Sequence, residues 1–141
     1  GHRLVSDDVT WMRRDSTGAV IGSAPEITRH HMEIRGVGII HVPSLYGIAA
    51  VRDEKTLDLI IQLAPDGQVE TELIRDGQEQ PTRNVLGVEI PFVEIPVAPG
   101  RDLANVVETA ALVHRLRLQG HDAAIELDRK LKALLTGERP S

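Results

Sequence analysis

The sequence predicts a sheet followed by helices, an α/β or α+β domain, and three observations carry that prediction. β-favouring segments punctuate the first hundred or so residues: Val9-Thr10-Trp11-Met12, Ala19-Val20-Ile21, the apolar run at 57–64 and the alternating stretch at 88–97. Turn chemistry separates them, as in Asp15-Ser16-Thr17-Gly18 and Pro65-Asp66-Gly67. From residue 102 onward the pattern changes to helical spacing of apolar residues.

The 141 residues suffice for one domain with a real core. Hydrophobic residues make up 41% of the chain, yet there is one Trp, one Tyr and one Phe, so the core must be built from Leu, Ile, Val and Ala. No cysteine is present, which excludes disulfides and thiolate metal sites. A net charge of −5 argues against a general nucleic-acid footprint, although a phosphate site can be locally basic in an acidic protein. The apolar runs are too short to span a bilayer and no signal peptide is visible, so a cytoplasmic chain without a membrane partner is expected. It opens at Gly1 directly onto a strand approach, without Met, and is expected to be part of something longer.

Taken in order, Arg3 to Ser6 is a short apolar approach ending in Asp7-Asp8, and 9–12 continues in β-favouring residues. After the turn at 13–18, residues 19–21 form a second strand. Ser23-Ala24-Pro25-Glu26 reads as a capping box with Pro near the first turn, which predicts a helix from Pro25 to Arg35 ended by Gly36. Val42-Pro43-Ser44 suggests another N-terminus, with a short helix from Leu45 to Val51. Residues 57–64 fit a strand buried on both faces. The polar stretch 68–84 reads as a hairpin or loop. Residues 88–97, carrying two prolines, are expected near a sheet edge. Leu103, Val106, Val107, Ala110, Val113 and Leu116 make one helical stripe stopped by Gly120. Asp122 caps a second helix with the stripe Ala123, Ala124, Leu127, Leu131, Leu134 and Leu135, closed by Gly137 and Pro140.

Three clusters could carry chemistry. The richest is Met32-Glu33-Ile34-Arg35-Gly36-Val37-Gly38-Ile39-Ile40-His41: a carboxylate suited to Mg²⁺, an Arg suited to oxyanions, and glycines that let backbone approach closely. Its composition also describes a charged helix end with a Gly cap. Asp7-Asp8 at a strand end is what a Walker-B-like acidic site looks like, and equally a strand-terminal turn. Pro96-Val97-Ala98-Pro99-Gly100-Arg101 is a rigid loop offering close approach at Gly100 and a cation at Arg101, or simply a strand-to-helix connector. The histidines at 30, 31, 41, 114 and 121 read as structural. His30 and Glu33 have i, i+3 spacing, but nothing else is spaced to complete a zinc site.

The literal strings add a resemblance. Residues 32–41 and 96–101 resemble the two signatures of the HPr kinase/phosphorylase family, bacterial enzymes that phosphorylate and dephosphorylate a serine on the phosphocarrier HPr. The Gly-His-Arg-Leu-Val lead into Asp7-Asp8 matches as well. The resemblance covers essentially the whole chain, and it implies a P-loop-kinase-like, phosphoenolpyruvate-carboxykinase-like sheet at 1–101 followed by a helical pair at 102–141. It implies Asp8 as catalytic acid/base with Asp7 in support, Glu33 as the Mg²⁺-contacting residue, and Arg35 in the same patch. Arg75 would stabilise transferring charge, although Ile74-Arg75-Asp76-Gly77 departs from the usual string there. The 96–101 loop would serve dephosphorylation, with Ala98 standing where many members carry a basic residue. ATP or pyrophosphate as donor, HPr as partner and a homo-hexamer are implied likewise. The Walker A loop that this chemistry requires, Gly-x-x-x-x-Gly followed by Lys and Ser or Thr, does not occur in the 141 residues. In family members it directly precedes the matched strand. A non-catalytic HPr-binding or assembly module is the alternative reading, and a relative of the carboxykinases a third.

Overall fold

A computed structural model describes residues 2–65, 80–100 and 102–137. The chain divides into two compact units, 1–58 with 84–89, and 59–83 with 90–141.

In the first unit, β1 (Trp11–Arg14), β2 (Val20–Ser23) and β5 (Glu54–Thr56) form an antiparallel sheet with β2 in the middle. Central position explains the burial: Val20 is 1% exposed and Ile21 is also buried, while β1 is exposed throughout. The turn from β1 into β2 is built by Asp15, whose Oδ1 accepts hydrogen bonds from the Thr17 hydroxyl at 2.6 Å and from the N–H groups of Thr17 and Ala19. Those donors favour the charged form, the Thr17 hydroxyl most of all, and hold the carboxyl below its usual range. Leu4 docks beside Val51 in a single parallel bridge, with its N–H on the Ala50 carbonyl and its own carbonyl accepting from Arg52.

The helix expected at 25–35 does not form. Only a 3-10 turn at Glu26–Thr28 appears, without a side-chain cap. His31–Ile34 (β3) and Gly38–His41 (β4) instead pair antiparallel as a hairpin. The physical reason lies in the second half of the motif. Burial along β3 alternates with period two, the partner strand offers Ile39 and Ile40, and Gly36 (φ +86°) and Gly38 (φ +113°) supply backbone angles that close a tight connection. The glycines are hairpin residues, not a helix cap. The next helix, α1 (Val42–Tyr46), starts three residues earlier than expected, with Pro43 in its first turn, and breaks at Gly47 (φ +87°). Ile48–Ala50 is a separate 3-10 turn.

In the second unit, β6 (Ile60–Ala64) runs parallel to β8 (Val88–Pro96), and β7 (Thr82–Val85) flanks β8 on its other side. β8 is therefore central rather than an edge. Pro91 is tolerated because Phe92 donates to Pro81, toward β7. The missing Pro91 donor would point the other way, just before the ladder with β6 begins at Ile60–Phe92. Among the described residues, Ala64, Ile90, Phe92 and Ile95 are the buried apolar ones of this unit, and the Arg83 guanidinium lies 4.1 Å over the Phe92 ring.

The two helices form as expected. α2 (Leu103–Leu118) is capped by Asp102, which accepts from the Asn105 N–H, and ends at Gly120 (φ +87°). α3 (Ala123–Leu135) is capped by Asp122, which accepts from Ala124 and Ile125. Their faces differ from expectation. The side chain buried in the last turns of α2 is His114, at 7% exposure, whereas Val113 and Leu116 lie open. On α3, Leu127, Leu131, Leu134 and Leu135 are all exposed.

Candidate functional site

The acidic pair occupies an irregular segment, not a strand end. The Ser6 hydroxyl bonds the carbonyls of Asp7 and Val9 and closes the loop between them. Inside it Asp8 takes φ +26°, a left-handed angle that asparagine and aspartate tolerate better than most residues and that costs backbone energy all the same.

β3 supplies Glu33, 26 positions after Asp7. Its backbone N–H donates to Asp7 Oδ2 at 2.9 Å, so the acidic loop is tied to the hairpin at the residue that carries the third carboxylate. Asp7, Asp8 and Glu33 line one pocket of about 180 Å³, with Thr28, His31 and Ile39 in the remaining wall. The three acidic residues line one concavity without converging on a single point, and oxygen donors of this kind suit Mg²⁺ rather than a soft metal. The pocket mouth is open, and Glu33 is exposed.

The hairpin also gathers histidines that the sequence left apart. His31 and His41 are direct partners in the register, with ring centroids 5.1 Å apart, and His30 lies 6.5 Å from His41. His30 Nε2 meets Asp53 Oδ1 at 3.2 Å. The i, i+3 relation of His30 to Glu33 on a helix disappears with that helix: Glu33 lies on β3, and His30 turns just before it at φ +69°.

Among the sequence-derived candidates, Asp7, Asp8, Met32, Glu33 and Ile39 come together at the pocket. Arg35, Gly36 and Val37 form the hairpin connection, where Val37 N–H donates to the Ile34 carbonyl, and Ile40 pairs with Met32. Pro96, Val97, Ala98, Pro99 and Gly100 belong to the second unit. There Val97 N–H donates to the Ala64 carbonyl and Gly100 turns at φ +77°. Arg75 and Arg101 lie outside the described residues. Sequence reasoning missed Ser6, whose side chain shapes the acidic loop, and Thr28 in the pocket wall. The period-two spacing of Met32 and Ile34, with Ile40 on the far side of the glycines, was the signal for the hairpin.

Comparison with known proteins places this geometry. Residues 1–131 match the family model described as the HPr serine kinase C-terminal domain. The HPr kinase/phosphorylase of Leptospira biflexa is 46% identical over 136 residues, which are 96% of this chain and 42% of that protein. That of Caldanaerobacter subterraneus is 47% identical over 131 residues, 93% of this chain and 43% of that protein. The chain thus spans less than half the length of these relatives. The solved structure of the HPr(Ser) kinase/phosphatase from Coxiella burnetii superposes with a TM-score of 0.71 at 33% identity, covering 84% of this chain and 71% of that one. The α/β architecture is therefore that of a kinase/phosphorylase, and the chain belongs to the HPr serine kinase C-terminal domain family.

Proposed function

We propose that this chain contributes the acidic half of a catalytic site that phosphorylates a serine on HPr, using ATP or pyrophosphate, and removes the phosphate again by phosphorolysis. The observation that carries the reading is the hydrogen bond from the Glu33 backbone N–H to Asp7, which ties the acidic loop to β3 so that Asp7, Asp8 and Glu33 line one pocket. The names of the relatives support the reaction class.

In the forward direction Asp8 takes the proton from the serine hydroxyl as its oxygen forms a bond to phosphorus and the bond to the donor's leaving oxygen breaks. In reverse, an oxygen of inorganic phosphate attacks phosphoserine, Asp8 returns the proton to the departing serine oxygen, and pyrophosphate leaves. Glu33, supported by Asp7, would hold Mg²⁺, which when bound neutralises charge on the phosphate oxygens. Arg75 would do the same for the transferring group, and Arg101 would serve the loop that favours dephosphorylation. HPr is the protein partner in this reading, the assembly a homo-hexamer and the compartment the cytoplasm. Among the described residues no helix is long and apolar enough to cross a membrane.

The test is serine phosphorylation of HPr by the native protein with and without Asp8→Asn. Loss of both directions by about 10²–10⁴-fold, with HPr binding retained, is the expected result. Transfer surviving at the native rate would refute Asp8 as the base. If the native protein binds HPr and transfers nothing, it is a binding module.

A further inference from the structure

We propose that His31 and His41 form a two-imidazole chelate for a borderline divalent transition metal of the Zn²⁺ type, at the rim of the carboxylate pocket and independent of the phosphate-transfer reading.

Val42 N–H donates to the His30 carbonyl at 2.9 Å, so residues 30 and 42 are a hydrogen-bonded pair. The next pair in the register, His31–His41, is then of the non-hydrogen-bonded kind, in which facing side chains come closest. Both side chains stand on one face of the hairpin and both residues are exposed, leaving room for water ligands.

His31 Nδ1 lies 2.8 Å from the Arg29 carbonyl, an acceptor only, so in the neutral ring Nδ1 carries the hydrogen and Nε2 the lone pair. His41 Nδ1 is held by the Ser44 hydroxyl at 2.6 Å, which can donate or accept, and Nε2 is again the remaining nitrogen. A ring fixed through one nitrogen, with the other free, is how metal-binding imidazoles are oriented. His30 is engaged differently: its Nε2 faces Asp53.

Two imidazole nitrogens, each about 2.1 Å from one tetrahedral ion, put their ring centroids roughly 5 Å apart. The observed separation is 5.1 Å. Among the described residues no three His, Cys, Asp or Glu side chains converge on one point, so water completes the coordination and the site is an accessible rather than a structural one. Imidazole selects against Mg²⁺, which prefers oxygen, so the two sites take different ions. Because His31 also lines the carboxylate pocket, a dication on this pair adds positive charge at the pocket rim.

The experiment is calorimetric titration of the full chain with Zn²⁺ in a non-coordinating buffer, together with long-range ¹H–¹⁵N spectra of its six imidazoles. The expected result is binding of a single ion that shifts the His31 and His41 ring resonances, leaves His114 unmoved, and survives a large excess of Mg²⁺. His31→Gln and His41→Gln should each weaken Zn²⁺ at least about tenfold, with unchanged circular dichroism, whereas His30→Gln should change it less than about twofold. Zn²⁺ affinity unaffected in both variants, or shifts confined to His2, His30 or His121, would overturn the proposal.

Discussion

The backbone N–H of Glu33 donates to Oδ2 of Asp7 at 2.9 Å, and that one bond joins the acidic loop to the hairpin. Asp7 thus acts through its acceptor atom as well as its charge. Asp7→Asn keeps an oxygen in place and should preserve protection of the Glu33 amide, whereas Asp7→Ala should lose it, at about 0.5–1.5 kcal/mol of stability. Hydrogen exchange at Glu33 is the measurement. Equal protection in the two variants would mean that the bond does not hold the strand.

Asp8 is the residue whose stability and activity should move in opposite directions. Its φ of +26° suits glycine better than any side chain. Asp8→Gly should therefore leave stability unchanged or raise it by up to about 1 kcal/mol. Phosphate transfer in the native protein should fall as far as in Asp8→Asn. Urea denaturation and a transfer assay on the same variant check both halves. A clear loss of stability would show that the aspartate makes contacts the backbone argument omits.

Gly36 and Gly38 test why the hairpin exists. A Cβ built at either position meets nothing within 4 Å, so the penalty of a side chain is purely one of backbone angle. Gly36→Ala (φ +86°) should cost about 1–2 kcal/mol, and Gly38→Ala (φ +113°), further from the left-handed basin, at least as much. Chemical denaturation measures both. Asparagine at 36, which tolerates positive φ, should recover part of the loss, and no recovery would argue that something other than φ is at stake.

Asp15 makes a pH prediction whose sign is set by the direction of its shift. Folding lowers its pKa below 3.8, so the unfolded chain binds the proton more readily and the carboxylate contributes stability above that value. The contribution fades as pH falls through the folded-state pKa. Asp15→Ala should therefore lower the melting temperature at neutral pH, and the difference attributable to its charge should shrink under acid. Melting curves from neutral pH down to below 3.8 decide it. A gap independent of pH would assign the effect to turn geometry alone.

Much of the candidate site was legible as residue types and little of it as arrangement. The Glu33 carboxylate, the glycines and the Asp7-Asp8 pair were identifiable from their strings, because chemistry on phosphate needs those groups. Their surroundings were not. Ser23 and Glu26 satisfied a capping pattern, with Pro25 near the first turn, and that predicted a helix through His30 and His31. The hairpin prevailed because β3 gains a complete partner strand in β4, a non-local gain that a local window does not register. The pairing of His31 with His41 follows from that register and has no sequence signature of its own.

The sequence by itself determined the helical pair, its caps at Asp122 and stop at Gly120, the presence of strands at 11–12, 20–21, 60–64 and 88–96, and the family. These depend on local capping, periodicity and literal motif, all of which act over a few residues. Only the tertiary structure decided that β8 is central, that His114 rather than Val113 is buried, and that Asp7 holds Glu33. Each of those is a choice of neighbour between residues distant along the chain, settled by packing and hydrogen-bond satisfaction once the whole unit is assembled.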